Sequence, residues 1–442
     1  MLKINVMITN SSSSPTRGQI GLPAAVAIGI GGMVGAGIFS ILGVVAQTAG
    51  NAMWISFLIG GVVALFTTYS YARLGVRFPS AGGAVEFLVQ GFGDGVISGG
   101  LNLYMWFGYI IALALYAQGF VGYAMTFVPS PAPIWLPKAV GVGIVLLFTG
   151  VNFLGARAMG RWESVIVGVK LAILLLFAGA GVFFLHLPYF SPSLWPAGQE
   201  WLFGAGILFI GYEGFGLVTN AAEDMADPRK LLPRALYLSV VLVILIYLAV
   251  SLAVIGNLDI AAIAASRDYA LAEAAKPFLG LWGFKLIAVG ALFSTASAIN
   301  ATLYGGANIS YMLARDGELP DFFARKVWSR SEEGLFITAG LVILFVLCFD
   351  LSGVAMMGSG AFLFIYACVN AAHLRVIRQT GAKKSLVWGA MLTCLAMFVI
   401  LSVYIYQNAK AALVTMVALL PVCLALEWVY RQRTGRCLKT RV

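Results

Sequence analysis

Two glycine-rich runs and two ionisable residues set in apolar surroundings are the parts of this sequence that could do chemistry. The run Gly29-Ile30-Gly31-Gly32-Met33-Val34-Gly35-Ala36-Gly37-Ile38-Phe39 places five glycines within nine residues. Glycine in a helix interior is about 1 kcal/mol less favourable than alanine, so this density predicts a weakened or unwound helix. A second interruption, Phe209-Ile210-Gly211-Tyr212-Glu213-Gly214-Phe215-Gly216, lies in a later apolar stretch and carries an acid. If the two breaks face each other, backbone alone can grip a zwitterion. Amide N–H groups at Gly35, Ala36 and Gly37, opening the second half of the first helix, carry the positive end of its dipole and suit a carboxylate. Carbonyls freed at Met33, Phe209, Ile210 and Gly211 suit an ammonium group. Close helix packing of the GxxxG kind is the other reading of the same glycines.

The elements that must position these residues follow from composition. Of 442 residues, 61% are hydrophobic and only 10% charged, with a mean hydropathy of +0.93, whereas a soluble domain carries roughly 25% charged residues. Lipid must surround such a chain. Crossing a hydrocarbon core of ~30 Å takes about 20 apolar residues as helix. The sequence divides into about twelve such runs, at 22–47, 52–74, 96–127, 138–154, 163–187, 200–222, 235–256, 281–311, 335–350, 353–374, 386–406 and 411–430. A closed β-barrel would show short alternating segments, and runs such as 235–256 are continuous. The expected fold class is therefore an all-α membrane protein.

Charge orients it. With both termini cytoplasmic, the inner segments hold 22 of the 28 Lys and Arg, among them Arg73, Arg77, Arg229, Arg234, Arg375 and Arg378, against five outside. This positive-inside asymmetry accounts for the net charge of +10 without nucleic acid as a partner,. The lipid bilayer of the cell membrane is the expected surrounding. Residues 1–20 read as a flexible cytoplasmic tail and 431–442 as a basic one.

The two histidines, His186 and His373, are far apart and near span ends, so no Ser-His-Asp set or HExxH zinc site assembles,. Cys348, Cys368, Cys394 and Cys423 lie in late spans and Cys437 in the inner tail, with no external pair for a disulfide and no metal-ligand spacing,. The expectation is a protein with no enzymatic activity, no cofactor and no metal. Lys170 is the one basic residue placed inside the hydrocarbon core, about five residues into the fifth run. An ionisable group there is a functional candidate by default, although a long lysine stem near an interface also snorkels. Glu213 stays open between pairing with a cationic substrate, excluding an anionic one, carrying a proton, and bonding freed amides as a structural acid.

Interrupted first and sixth spans are what a five-plus-five inverted repeat would produce, at about 21–190 and 198–380, each half opening with its broken helix. At these residues the sequence resembles the amino acid–polyamine–organocation (APC) transporters, over about residues 21 to 380. The run at 28–39 resembles the family's first-helix motif, FPSAGGAVEF with the following GFG its first cytoplasmic loop, and GYEGFG with EDMADPRKLLPRAL its sixth helix and the loop after it. GVKLAILLLF, TASAINATLYGGAN and ARDGELP followed by ARKVW are similar to the proton-coupled, broad-specificity amino acid transporters of that family. The resemblance implies a LeuT-like ten-helix core with two peripheral helices at 385–430, and an amino acid and a proton as partners. It also implies proton coupling through Lys170, whose amine should meet the Gly31 carbonyl and a hydroxyl of Ser294 or Ser297. A lysine shielded from water gives up its proton more readily, which suits that task. Sodium-independent symport by alternating access is the implied activity. Exchange of amino acids or polyamines without net proton movement is the alternative, and a channel or receptor a more distant one.

Overall fold

The computed structural model describes residues 20–80, 82–129, 131–155, 159–315, 326–327 and 331–434. The tails at 1–19 and 435–442, together with Ala81 and the motif residues 316–320, lie outside the described residues.

Each expected span coincides with a helix. The first is split into α1 (Leu22–Met33) and α2 (Ala36–Ala49), and a turn at 50–52 leads into α3 (Met53–Arg77). α4 (Ala84–Phe92) is the short helix after Pro79, and α5 (Val96–Met125), α6 (Leu136–Gly155) and α7 (Met159–Gly181) follow. The sixth span is composite: α8 (Glu200–Leu208), a 3-10 segment Phe209–Gly216, and α9 (Leu217–Asn220). Then come α10 (Pro228–Asn257), α11 (Ile260–Ala265), α12 (Ala270–Arg315), α13 (Glu333–Cys348), α14 (Leu351–Arg375), α15 (Ile377–Thr380), α16 (Lys384–Asn408) and α17 (Lys410–Thr434). Strand pairing among the described residues is one two-residue ladder, Lys326–Val327 against Ser331–Glu332. Among the described residues, ten stretches are long and apolar enough to cross a membrane; the first, Leu22–Arg77, runs through α1 to α3, and the apolar helix Gly334–Cys348 is shorter.

Local chemistry sets the helix ends. Asp350 caps α14 by accepting from the Gly353 amide at 3.0 Å, and Asp259 caps α11 through Ala261 at 3.1 Å,. Pro228 opens α10, where its missing N–H would have had no partner,. α12 is longer than the span at 281–311 because Gly280, at φ 62°, joins a preceding helix to it through a left-handed residue,. α5 is buried along most of its length among α12, α14 and α17. By contrast, α6, α7, α16 and α17 turn Leu146, Leu175, Val399 and Val414 outward, which places them at a lipid-facing perimeter,.

Candidate functional site

The first break falls where the glycines place it. α1 ends at Met33, and Val34 (ψ 61°) and Gly35 (φ −105°, ψ −122°) leave helical geometry before α2 begins at Ala36. The Gly35 amide, expected to face a ligand, here donates to the Met33 carbonyl at 2.9 Å. A helix leaves its first-turn amides without intrahelical partners. At the start of α2 these are Ala36, Gly37 and Ile38.

The second break is tighter than expected. Phe209–Gly216 is a 3-10 helix, with i→i+3 bonds, and not an unwound segment, so the carbonyls of Phe209 and Ile210 stay within a hydrogen-bonded frame,. Glycine density signals a weak α-helix without saying which alternative replaces it. Contacts from α14 decide the matter. Ser359 Oγ donates to Ile207 O at 2.6 Å and accepts from Ile210 N at 2.9 Å, while the Tyr366 hydroxyl donates to Glu213 O at 2.6 Å.

The two breaks touch backbone to backbone. A Cβ at Gly214 would lie 2.2 Å from the Gly32 carbonyl carbon, and one at Gly37 would lie 2.8 Å from Gly211 Cα. Gly35 sits in the break, and Gly32, Gly37, Gly211 and Gly214 pack it closely, as the packing reading of the glycines expects. The carbonyls of Met33 and Gly211 both accept from the Tyr247 hydroxyl of α10, at 2.7 and 3.1 Å. An ammonium with three N–H donors fits the position this single hydroxyl occupies.

Lys170 reaches the same break from α7. Its Nζ donates to Gly31 O at 3.0 Å, and the residue is 2% exposed. Lys170 is the midpoint of α7 and lies five residues inside its apolar stretch, Val165–Phe184. From α12, Ser294 Oγ donates to Val34 O at 3.2 Å, and buried Ser297 lies one turn further along the helix. Two scaffold helices thus hold the carbonyls of residues 31 and 34.

Glu213 is buried at 3% exposure, and its carboxyl lies beside Tyr116 of α5. Tyr116 also stands next to Gly35, 3.8 Å from where its Cβ would be, so the acid and the first break share a neighbour. Sequence reasoning missed Tyr116 and Tyr247, since nothing distinguishes them among 17 tyrosines.

Both ends of the paired breaks are covered. On one side Gln47 Nε2 donates to Ala264 O at 3.0 Å, and the turn after α11 lies against Gly43 with Arg267 bridging Asp268 at 3.1 Å and Asp350 at 3.7 Å. On the other, Tyr71 packs edge-on against Phe87, Phe215 and Tyr366 with centroids 5.2–5.6 Å apart. There, Ile20 N also donates to Asp224 O at 3.1 Å.

Comparison with known proteins agrees with this architecture. A family model described as amino acid permease matches residues 20–426. An uncharacterised protein of Methanocaldococcus jannaschii is 42% identical over 419 residues, covering 95% of this chain and 96% of its own length. The inner membrane transport protein YbaT of Escherichia coli is 33% identical over 424 residues, 96% and 99% of the two chains. The methylthioribose transporter of Bacillus subtilis is 30% identical over 318 residues, 67% of each. Nearly the whole chain, including both glycine breaks and Lys170, falls within that match, and this multi-pass membrane protein belongs to the amino acid permease family of the APC superfamily, a family of transporters and not of enzymes.

Proposed function

We propose that the protein is a sodium-independent, proton-coupled amino acid symporter that works by alternating access, with Lys170 as its proton site. The observation that carries this reading is the Lys170 ammonium at the midpoint of α7, hydrogen-bonded to the Gly31 carbonyl beside the first break. A cation there depends on charge for its grip on the break, so losing a proton loosens α7 from α1.

The substrate's carboxylate would meet the first-turn amides of α2 at Ala36 and Gly37, and its ammonium the carbonyls of Met33 and Gly211, displacing the Tyr247 hydroxyl. Glu213, with Tyr116, would border the side-chain pocket and favour cationic substrates over anionic ones. In this reading α1–α3 and α8–α10 move as one bundle. Tyr247 ties α10 to both breaks, and Tyr212 ties the 3-10 segment to Phe57 O of α3 at 2.8 Å. Lys170, Ser294, Tyr116 and Ser359 are then the contacts from the scaffold that must be remade as the bundle rocks. The inverted repeat at 21–190 and 198–380 supplies the two equivalent end states. The arginine-rich end faces the cytoplasm, with both termini there, in the cell membrane.

Uptake into proteoliposomes of a labelled amino acid panel, with methylthioribose included because a relative is named for it, tests the reading. Accumulation that follows an inward proton gradient without sodium supports symport. Counterflow that ignores the gradient and requires internal amino acid would make the protein an exchanger.

A further inference from the structure

A cavity of about 730 Å³ opens at the arginine-rich end, away from the paired breaks. Its walls come from three places: Tyr69, Arg73 and Arg77 on α3, Arg229 and Tyr237 on α10, and Thr380 on α15. Arg73 and Arg77 are four residues apart and so share a helix face. The lining contains three guanidinium groups and no carboxylate. Among the described residues none of the three arginines forms an ion pair; the nearby Asp227 is paired with Lys230 at 3.5 Å. Three like charges around one void repel each other unless something anionic joins them. The amino end of the 30-residue α10 opens on the same cavity without a side-chain cap, adding the positive end of its dipole,.

Arg73 lies over the Tyr69 ring at 5.6 Å and Arg77 over the Phe78 ring at 5.4 Å, so aromatic faces help to place both without neutralising their charge,. We infer that this cavity is a binding site for a phosphate-bearing anion, held by the guanidinium groups of Arg73, Arg77 and Arg229 with hydroxyl donors from Tyr237 and Tyr69. Arginine's planar fork matches phosphate oxygens two at a time. The volume exceeds that of a lone phosphate and admits either the glycerophosphate headgroup of an anionic lipid or a soluble phosphate ester. Occupancy would pin α3 and α10 to α15 and so slow the rocking of the bundle. That consequence rests on the transport reading above, whereas the binding measurement stands without it.

The test is binding to the purified full-length protein in neutral detergent, followed by calorimetry. The probes are dioctanoyl phosphatidylglycerol, dioctanoyl phosphatidylcholine as its zwitterionic control, and pyrophosphate as the soluble source. One of the two anions is expected to bind the wild type. The triple variant Arg73→Gln/Arg77→Gln/Arg229→Gln should weaken that binding by about a hundredfold, at roughly 1 kcal/mol per lost cation. Arg375→Gln should leave it unchanged, and Arg229→Gln alone gives a measurable decrease should the triple variant fold poorly. Loss confined to the lipid assigns a headgroup site, and loss confined to pyrophosphate assigns a soluble ligand. Failure of both anions to bind, equal affinity in wild type and variants, or equally tight phosphatidylcholine binding overturns the inference.

Discussion

At the scale of single residues, two ionisable groups are buried within membrane-length helices. Lys170 stood out in the sequence as the one basic residue in a hydrocarbon-length run, and burial at 2% with a bond to Gly31 O gives it a partner on the broken helix. Glu213 was visible as an acid among glycines, but its neighbour was not. Tyr116 lies almost a hundred residues away on α5, in a chain whose 13% aromatic content hides any single tyrosine. Glu213→Gln keeps the side chain's volume beside Tyr116 while removing its capacity to ionise. If the acid faces a cationic substrate, uptake of lysine and arginine relative to neutral amino acids falls about tenfold, the scale of one charge-assisted hydrogen bond. An unchanged ratio in competition assays would mark Glu213 as structural.

The secondary-structure elements were legible wherever hydropathy alone sets them. All expected runs became helices, and the break at residues 34–35 fell within the glycine cluster. What could not be read was how the two breaks meet, because that depends on pairs of residues separated by about half the chain. Gly214→Ala would drive its Cβ against the Gly32 backbone, with atoms 2.2–2.5 Å away. Backbone on both sides leaves nothing flexible to yield, so a loss of about 1–3 kcal/mol in stability is expected, together with loss of uptake. Gly143→Ala on α6, with nothing within 4 Å of its Cβ, is the matched control and should leave thermal stability equal or slightly raised,. Comparable behaviour of the two variants in thermal unfolding would contradict the close approach of the breaks. The 3-10 form of residues 209–216 had no signal of its own in the sequence, since Ser359 and Tyr366, which hold it, belong to α14.

For the whole molecule, the covered ends matter as much as the site. Burial raises the pKa of Asp268, against the Arg267 guanidinium that lowers it and with the Asp350 carboxylate raising it further. An acid with a raised pKa binds its proton more tightly in the folded, covered state. Its stabilisation is present at pH values below the ordinary carboxylate range and is lost as pH rises through the raised value. Thermal unfolding midpoints should therefore decline as pH rises above the ordinary carboxylate range, and Asp268→Asn should flatten that slope and raise the midpoint at neutral pH,. A slope identical in the variant would show that the turn after α11 does not sense pH. The expected orientation rests on the distribution of arginine and lysine along the sequence, whereas the arginine-rich cavity between α3, α10 and α15 is a feature that only folding brings together. The central claim is that Lys170 couples proton and amino acid movement across this architecture. Its most direct test is uptake into proteoliposomes with an inward pH gradient imposed or absent, for wild type and Lys170→Ala at equal protein density. Gradient-driven accumulation in the wild type and its loss in the variant is the predicted result; accumulation in Lys170→Ala that responds to the gradient as the wild type does would contradict it.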